Sequence, residues 1–181
     1  MSDIGTLSGM TGFAILAIFP VCMIFATFFD IFTMTIPNRI NLVLLGAFVV
    51  LAPLAGMDLV TMAKHAGVAL VVLGVCFGFF AAGFMGAGDA KLLATSALWF
   101  GPSQTLLYIF LGGMLGGVLT LAIVFARRAP LGPRLSAIDW VARLHDSKNG
   151  VPYGAALGPA ALYMFTLSPW YAFVATGLPI A

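Results

Sequence analysis

The sequence predicts an all-α, polytopic integral membrane protein with about six transmembrane helices and a short cytoplasmic surface helix, on three observations. Hydrophobic residues are 62% of the 181 and charged residues 8%, against roughly 25% charged in an ordinary soluble domain, so a water-soluble fold would have almost no polar skin. Five uncharged runs (Ile4 to Phe29, Asn41 to Met57, Ala66 to Gly88, Leu92 to Ala126 and Val151 to Ala181) approach or exceed the about 20 apolar residues of a spanning helix. The basic residues, finally, gather on one side of the topology these runs imply.

The first helix is expected over 11–29. Asp3, with no Lys or Arg before the apolar run, lacks the basic start of a cleavable signal peptide, so this run reads as a permanent span. Asp30 marks its polar boundary, and Pro37 disfavours helix at Ile36. The second helix is expected over 40–54, short for a span, and Gly56, Asp58, Lys64 and His65 form a loop before a third over 66–84. The run from Leu92 to Ala126 is too long for one ordinary span and is interrupted by Gly101-Pro102-Ser103, which divides it into helices over 89–100 and 104–126. The first of these is shorter than a bilayer, which suits an entry sunk in protein and water.

The segment 127–150 is the one substantial hydrophilic stretch. Ser136-x-x-Asp139 reads there as a capping box opening a surface helix, with Trp140 at the headgroup level. A last helix over 153–176 completes a single membrane-embedded domain, 1–181. Glycines at helix-packing spacing, Gly112, Gly113, Gly116 and Gly117 and the pair Gly74 and Gly78, read as close-approach positions.

Six spans place Arg39, Lys91 and the five basic residues of 127–150 on one side and Lys64 alone on the other. The positive-inside rule makes the first side cytoplasmic and turns both termini outward. Cys22 and Cys76 stand alone without CxxC spacing, and His65 and His145 are far apart in sequence. A disulfide framework or zinc site is therefore not expected, nor any metal or cofactor. The net charge of +2 carries no sign of a nucleic-acid partner; the expected partners are the bilayer and a protein substrate.

Asp30 and Asp89 are the acids that end or begin a span at the cytoplasmic face, where an ionisable group needs a functional reason. Two neighbouring carboxylates activate water: one, ionised, takes a proton from the attacking water while the other, protonated, donates to the carbonyl oxygen. The helix dipole suggests Asp89 as base, at a helix N-terminus, and Asp30 as acid, near a C-terminus. Gly86 and Gly88 offer backbone conformations closed to other residues, giving room for a substrate strand. Lys91 biases the site electrostatically or anchors the helix to headgroups.

Asp30 with Ile36-Pro37-Asn38, then Gly86-Ala87-Gly88-Asp89-Ala90-Lys91-Leu92-Leu93, then Val151-Pro152-Tyr153-Gly154, resembles the type IV prepilin peptidases, aspartyl proteases of the bacterial inner membrane. The resemblance implies cleavage of a prepilin's short basic leader at the cytoplasmic face, with Asp30 and Asp89 as catalytic aspartates. It implies supporting roles for Gly86, Gly88, Lys91, Pro37, Asn38, Pro152, Tyr153 and Gly154. Larger members insert a cysteine-bearing domain between the first two helices and also N-methylate the product; without it, this chain is similar to the short, peptidase-only type of Flp or tight-adherence pili. The competing classes are a proton-coupled transporter, which would want acids deeper in the spans, and a non-catalytic pilus-assembly protein, for which the aspartates would be incidental.

Overall fold

The computed structural model describes residues 2–180, with side chains described over 9–180, so the side chain of Asp3 lies outside the described residues. Those residues are helical and contain no strand: α1 (Ser2–Thr33), α2 (Asn38–Leu54), α3 (Leu59–Ala81), α4 (Ala87–Ala126), α5 (Pro133–Ser136), α6 (Asp139–His145), α7 (Gly154–Thr166) and α8 (Pro169–Thr176). By length and composition, Gly9–Thr33, Leu59–Ala81 and Ala87–Ala126 can each cross a membrane, and α2 is a shorter apolar helix.

Several boundaries differ from expectation for local reasons. Helix α1 continues through Asp30 to Thr33, so Asp30 lies in its last turn and not beyond it. Helix α3 starts at Leu59 because Asp58 caps it, Oδ1 accepting from the Thr61 N–H at 3.0 Å. The Ser136-x-x-Asp139 capping box does not form. Pro133 starts the one-turn α5, Ser136 Oγ donates to its Pro133 carbonyl at 3.1 Å, and α6 opens at Ile138 without a side-chain cap. The final apolar run breaks at Ser168, held extended by Pro169 (φ −85, ψ 157) and capping α8 by accepting from the Tyr171 N–H.

The decisive feature is a reversal inside α4. Gly101 takes φ +63, ψ −169, a conformation that L side chains rarely adopt, and the second arm (102–126) folds back beside the first (87–100). The rings of Phe100 and Tyr108 meet at a tilt with centroids 5.0 Å apart, which a straight helix could not bring about over eight residues at about 1.5 Å each. Pro102 has no N–H for the Leu98 carbonyl, and the break strands its neighbours. Side chains take over: Thr105 Oγ1 reaches Ala97 O at 3.4 Å, His65 Nδ1 donates to Leu98 O at 2.8 Å and Trp170 Nε1 donates to Trp99 O at 2.7 Å.

Around this reversal Phe19, Phe48, Trp99, Phe165 and Trp170 interlock, Trp99 and Trp170 at 4.6 Å and Phe19 and Phe165 at 5.0 Å. Of the residues from Leu92 to Gly101, all but Thr95 are buried. The first arm is thus a central post, with α1, α2, α3, α7 and the second arm around it. The two ends of the bundle are held differently. At one, Ile180 N–H donates to Ala55 O and Gln104 Nε2 to Leu167 O. At the other, Lys91 Nζ donates to Asn38 Oδ1 and Ala155 N–H to Asp30 Oδ2; this end carries both acids.

Candidate active site

Helix α4 begins at Ala87, with Gly86 as N-cap in extended conformation (φ −72, ψ 145). Asp89 therefore falls in the first turn, where backbone N–H groups lack intrahelical acceptors. Its carboxylate folds back over the helix start toward the Gly86 amide. A Cβ on Gly86 would stand 2.9 Å from Asp89 Oδ2, so the missing side chain makes room for the acid. Gly86 and Gly88 both lack the left-handed backbone expected of them. Gly88 is needed for another reason: a Cβ there would lie 3.2 Å from Ile36 Cβ, so the position is covered by Ile36 and not open to a substrate strand.

Asp30 reaches the same place from the last turn of α1. Its approach depends on a close α1–α7 contact built from Gly154 and Gly158. A Cβ on Gly158 would overlap Thr27 Oγ1, and one on Gly154 would stand 2.7 Å from Ile36 Cδ1 and 2.9 Å from Asp30 Oδ2. With no side chain in the way, Asp30 Oδ2 accepts from the Ala155 N–H at 3.2 Å and also meets the Gly154 amide.

That Gly154 amide faces Asp89 too. The two carboxylates, 4% and 9% exposed, thus converge on one backbone donor at the start of α7, close enough for their charges to act on each other. Because Asp30 also sits at a helix N-terminus, that of α7, the dipole distinction between the two acids drawn from the sequence disappears. Chemically the arrangement is a buried carboxylate pair facing one common backbone amide at the mouth of a helix bundle.

The other singled-out residues divide into two groups. Ile36 wedges between Gly88 and Gly154, Pro37 caps α2, Pro152 is buried, and Tyr153 lays its ring on Gly116, where a Cβ would come within 2.7 Å. These hold the walls of the site. Lys91 and Asn38, both exposed, bond each other at 2.9 Å, and Thr95 bonds Asn41 Oδ1 at 2.9 Å; they tie α4 to α2 beside the acids. Gly158 escaped the sequence reading, although its four-residue spacing from Gly154 is the small-xxx-small signal that marks close helix contacts. Conversely, Cβ atoms on Gly74, Gly78, Gly113 and Gly117 would meet nothing within 4 Å, while Gly112 and Gly116 are tightly packed.

A cleft of about 790 Å³ opens between α3 and the second arm of α4, lined by Val68, Val72, Phe79, Ile109 and Gly113 among others. Its lining also includes Leu93 and Leu157, and Met85 and Tyr153, which immediately precede the N-cap of α4 and the start of α7.

The fold is that of an all-helical membrane protein, and comparison with known families assigns its class. The model of the type IV leader peptidase family matches residues 17–121, more than half of the chain and a span containing both acids, and the protein belongs to that family. It is accordingly a membrane protease of the leader-peptidase kind, acting on a protein substrate. No curated protein and no solved structure matches the chain.

Proposed function

We propose that this protein is an aspartic endopeptidase that removes the short basic leader of Flp-like type IV prepilins at the cytoplasmic face of the bacterial inner membrane. The observation that carries the reading is that Asp30 and Asp89, both buried, face the start of α7, where the Ala155 N–H donates to Asp30 Oδ2 at 3.2 Å. In the proposed reaction one carboxylate removes a proton from water as it attacks the scissile carbonyl carbon, while the other, protonated, donates to the carbonyl oxygen. Collapse of the tetrahedral intermediate breaks the C–N bond. The leaving nitrogen is protonated by the acid that took the water's proton, and the leader departs with a new carboxylate. The pair titrates as a unit, so neither acid needs a fixed role in the resting enzyme.

Six crossings fit the layout: α1, α2, α3, the two arms of α4, and α7 with α8. Arg39, Lys91 and the basic residues of 127–150 lie at the end that carries the acids, which the positive-inside rule assigns to the cytoplasm. The cleft beside α3 supports a substrate whose apolar stem lies within the bilayer, its scissile bond emerging near Met85 and Tyr153. The connector between α1 and α2 is only 34–37, leaving no place there for a methyltransferase domain, so we assign peptidase activity alone.

The test is cleavage of candidate prepilins by membranes holding the wild-type chain, Asp30→Asn or Asp89→Asn. The reading requires both variants to insert and fold yet lose cleavage; undiminished cleavage by either would refute the dyad.

A further inference from the structure

We infer that Arg127, at the C-terminal end of α4, is a positioning residue for the reaction, acting through the backbone amides that α7 presents to the acid pair. The inference rests on the dyad reading above.

The basic stretch 127–150 read in sequence as a membrane-facing surface, yet Arg127 turns its donors inward. Its Nε donates to Leu144 O at 2.9 Å, and its Nη2 to Asn149 O at 3.1 Å and Gly150 O at 2.9 Å. One planar guanidinium therefore clamps the end of α6 and the start of the connector to the end of α4, a fork geometry that lysine's point charge cannot reproduce. Asn149 Nδ2 closes the same loop by donating to Arg143 O at 2.9 Å.

From the clamped Gly150 carbonyl only Val151, Pro152 and Tyr153 intervene before Gly154, whose missing Cβ leaves room for Asp30 Oδ2, and Ala155, whose N–H donates to that oxygen at 3.2 Å. Pro152 is buried with its φ restricted by its ring, and the Tyr153 ring is pinned on Gly116. The connector has little slack at its α7 end, so its other end sets where the Gly154 and Ala155 amides stand. Removing the clamp leaves Asp30 and Asp89 on their own helices but frees the donor they share. Loss of an oriented group by about 1 Å costs up to roughly 100-fold in rate.

The experiment compares Arg127→Ala, Arg127→Lys and, as an independent disturbance of the same connector, Gly116→Ala, with Asp30→Asn alongside. Each purified chain is assayed for kcat and KM on one prepilin and for its folded fraction by thermal melting in detergent. Arg127→Ala is expected to lower kcat roughly 10- to 100-fold with KM changed less than about twofold, Arg127→Lys to recover part of that loss, and Gly116→Ala to lower kcat in the same manner. The Arg127→Ala, Gly116→Ala double variant should lose less than the product of the two single losses, because both act through one amide. An unchanged kcat in Arg127→Ala, a loss confined to KM, or a loss matched by a smaller folded fraction would overturn the inference. Those results with Asp30→Asn inactive sink this inference alone; an active Asp30→Asn removes the dyad reading and this inference with it.

Discussion

The Ala155 N–H donates to Asp30 Oδ2 across 3.2 Å, joining residues 125 positions apart. Through this bond the last apolar segment takes part in a site whose acids come from α1 and α4. On the proposed reading the first turn of α7 belongs to the setting of the dyad, and cleavage should respond to changes there as well as at the acids.

Gly154→Ala tests that directly. The added methyl would stand 2.7 Å from Ile36 Cδ1 and 2.9 Å from Asp30 Oδ2, and relief requires the amide to move off the carboxylates. Prepilin cleavage should fall roughly 100-fold, measured as initial rate at matched amounts of folded enzyme. Wild-type rates would show that the α7 amides are dispensable.

Gly158→Ala should act at one remove, by prising α7 from α1 where the methyl overlaps Thr27 Oγ1. Overpacking of this kind costs about 1–3 kcal/mol. Thr27→Ala in the same chain removes the hydroxyl and should restore part of both melting temperature and activity. The restoration is partial because the Met23 carbonyl remains 3.0 Å from the new methyl. No restoration would mean that Thr27 is not the obstacle.

Gly113→Trp fills the cleft beside α3 from a position whose Cβ meets nothing within 4 Å. If the prepilin stem lies there, KM for the full-length prepilin in bilayers rises several-fold while kcat stays near wild type, and a soluble leader peptide lacking the stem is cut as before. Equal kinetics on the full-length substrate would place the stem elsewhere.

His65→Phe keeps the ring against Phe48, 5.8 Å away, but leaves the Leu98 carbonyl without its side-chain donor. An unsatisfied buried acceptor costs about 1–3 kcal/mol. The melting temperature in detergent should drop while kcat at low temperature is preserved, because the reversal lies at the end of the bundle opposite the acids.

The α3 cap carries a pH signature. Asp58, exposed, is held below the ordinary carboxylate range by its hydrogen bonds with Thr61. A carboxyl lowered on folding contributes stability above its unfolded pKa and loses it as pH falls through the folded value. Asp58→Ala should therefore lower the melting temperature at pH 7 and narrow its gap to wild type in acid; a gap that widens toward low pH contradicts the assignment.

Much of this architecture is legible in composition and punctuation. Apolar runs and their interruptions mark the helices, Gly101-Pro102 marks where α4 turns, and two isolated acids draw attention because an ionisable group beside hydrocarbon needs a reason. What the residues do for one another is less visible. Gly88 reads as room for a substrate strand until Ile36 is seen against it, and Lys91 as an electrostatic bias or a headgroup anchor, with nothing to show that its ammonium also bonds Asn38. His65 looks like a loop residue, but the stranded Leu98 carbonyl that it serves is 33 positions away. Arg127 looks like one cation among five. In each case sequence gives the residue's chemistry but not its long-range partner, and the partner decides the role.

Because the first arm of α4 is enclosed by protein over nearly its whole length, the depth of Asp89 is set by neighbouring helices and not by the lipid around them. Bilayers differing by a few ångströms in hydrocarbon thickness are accommodated by tilt or local deformation at lipid-facing helices, here the outer faces of α1, α2, α3 and the second arm. The proposed reaction centre is thereby insulated from mismatch: a thicker or thinner membrane strains the rim of the protein before it changes the level at which Asp89 stands.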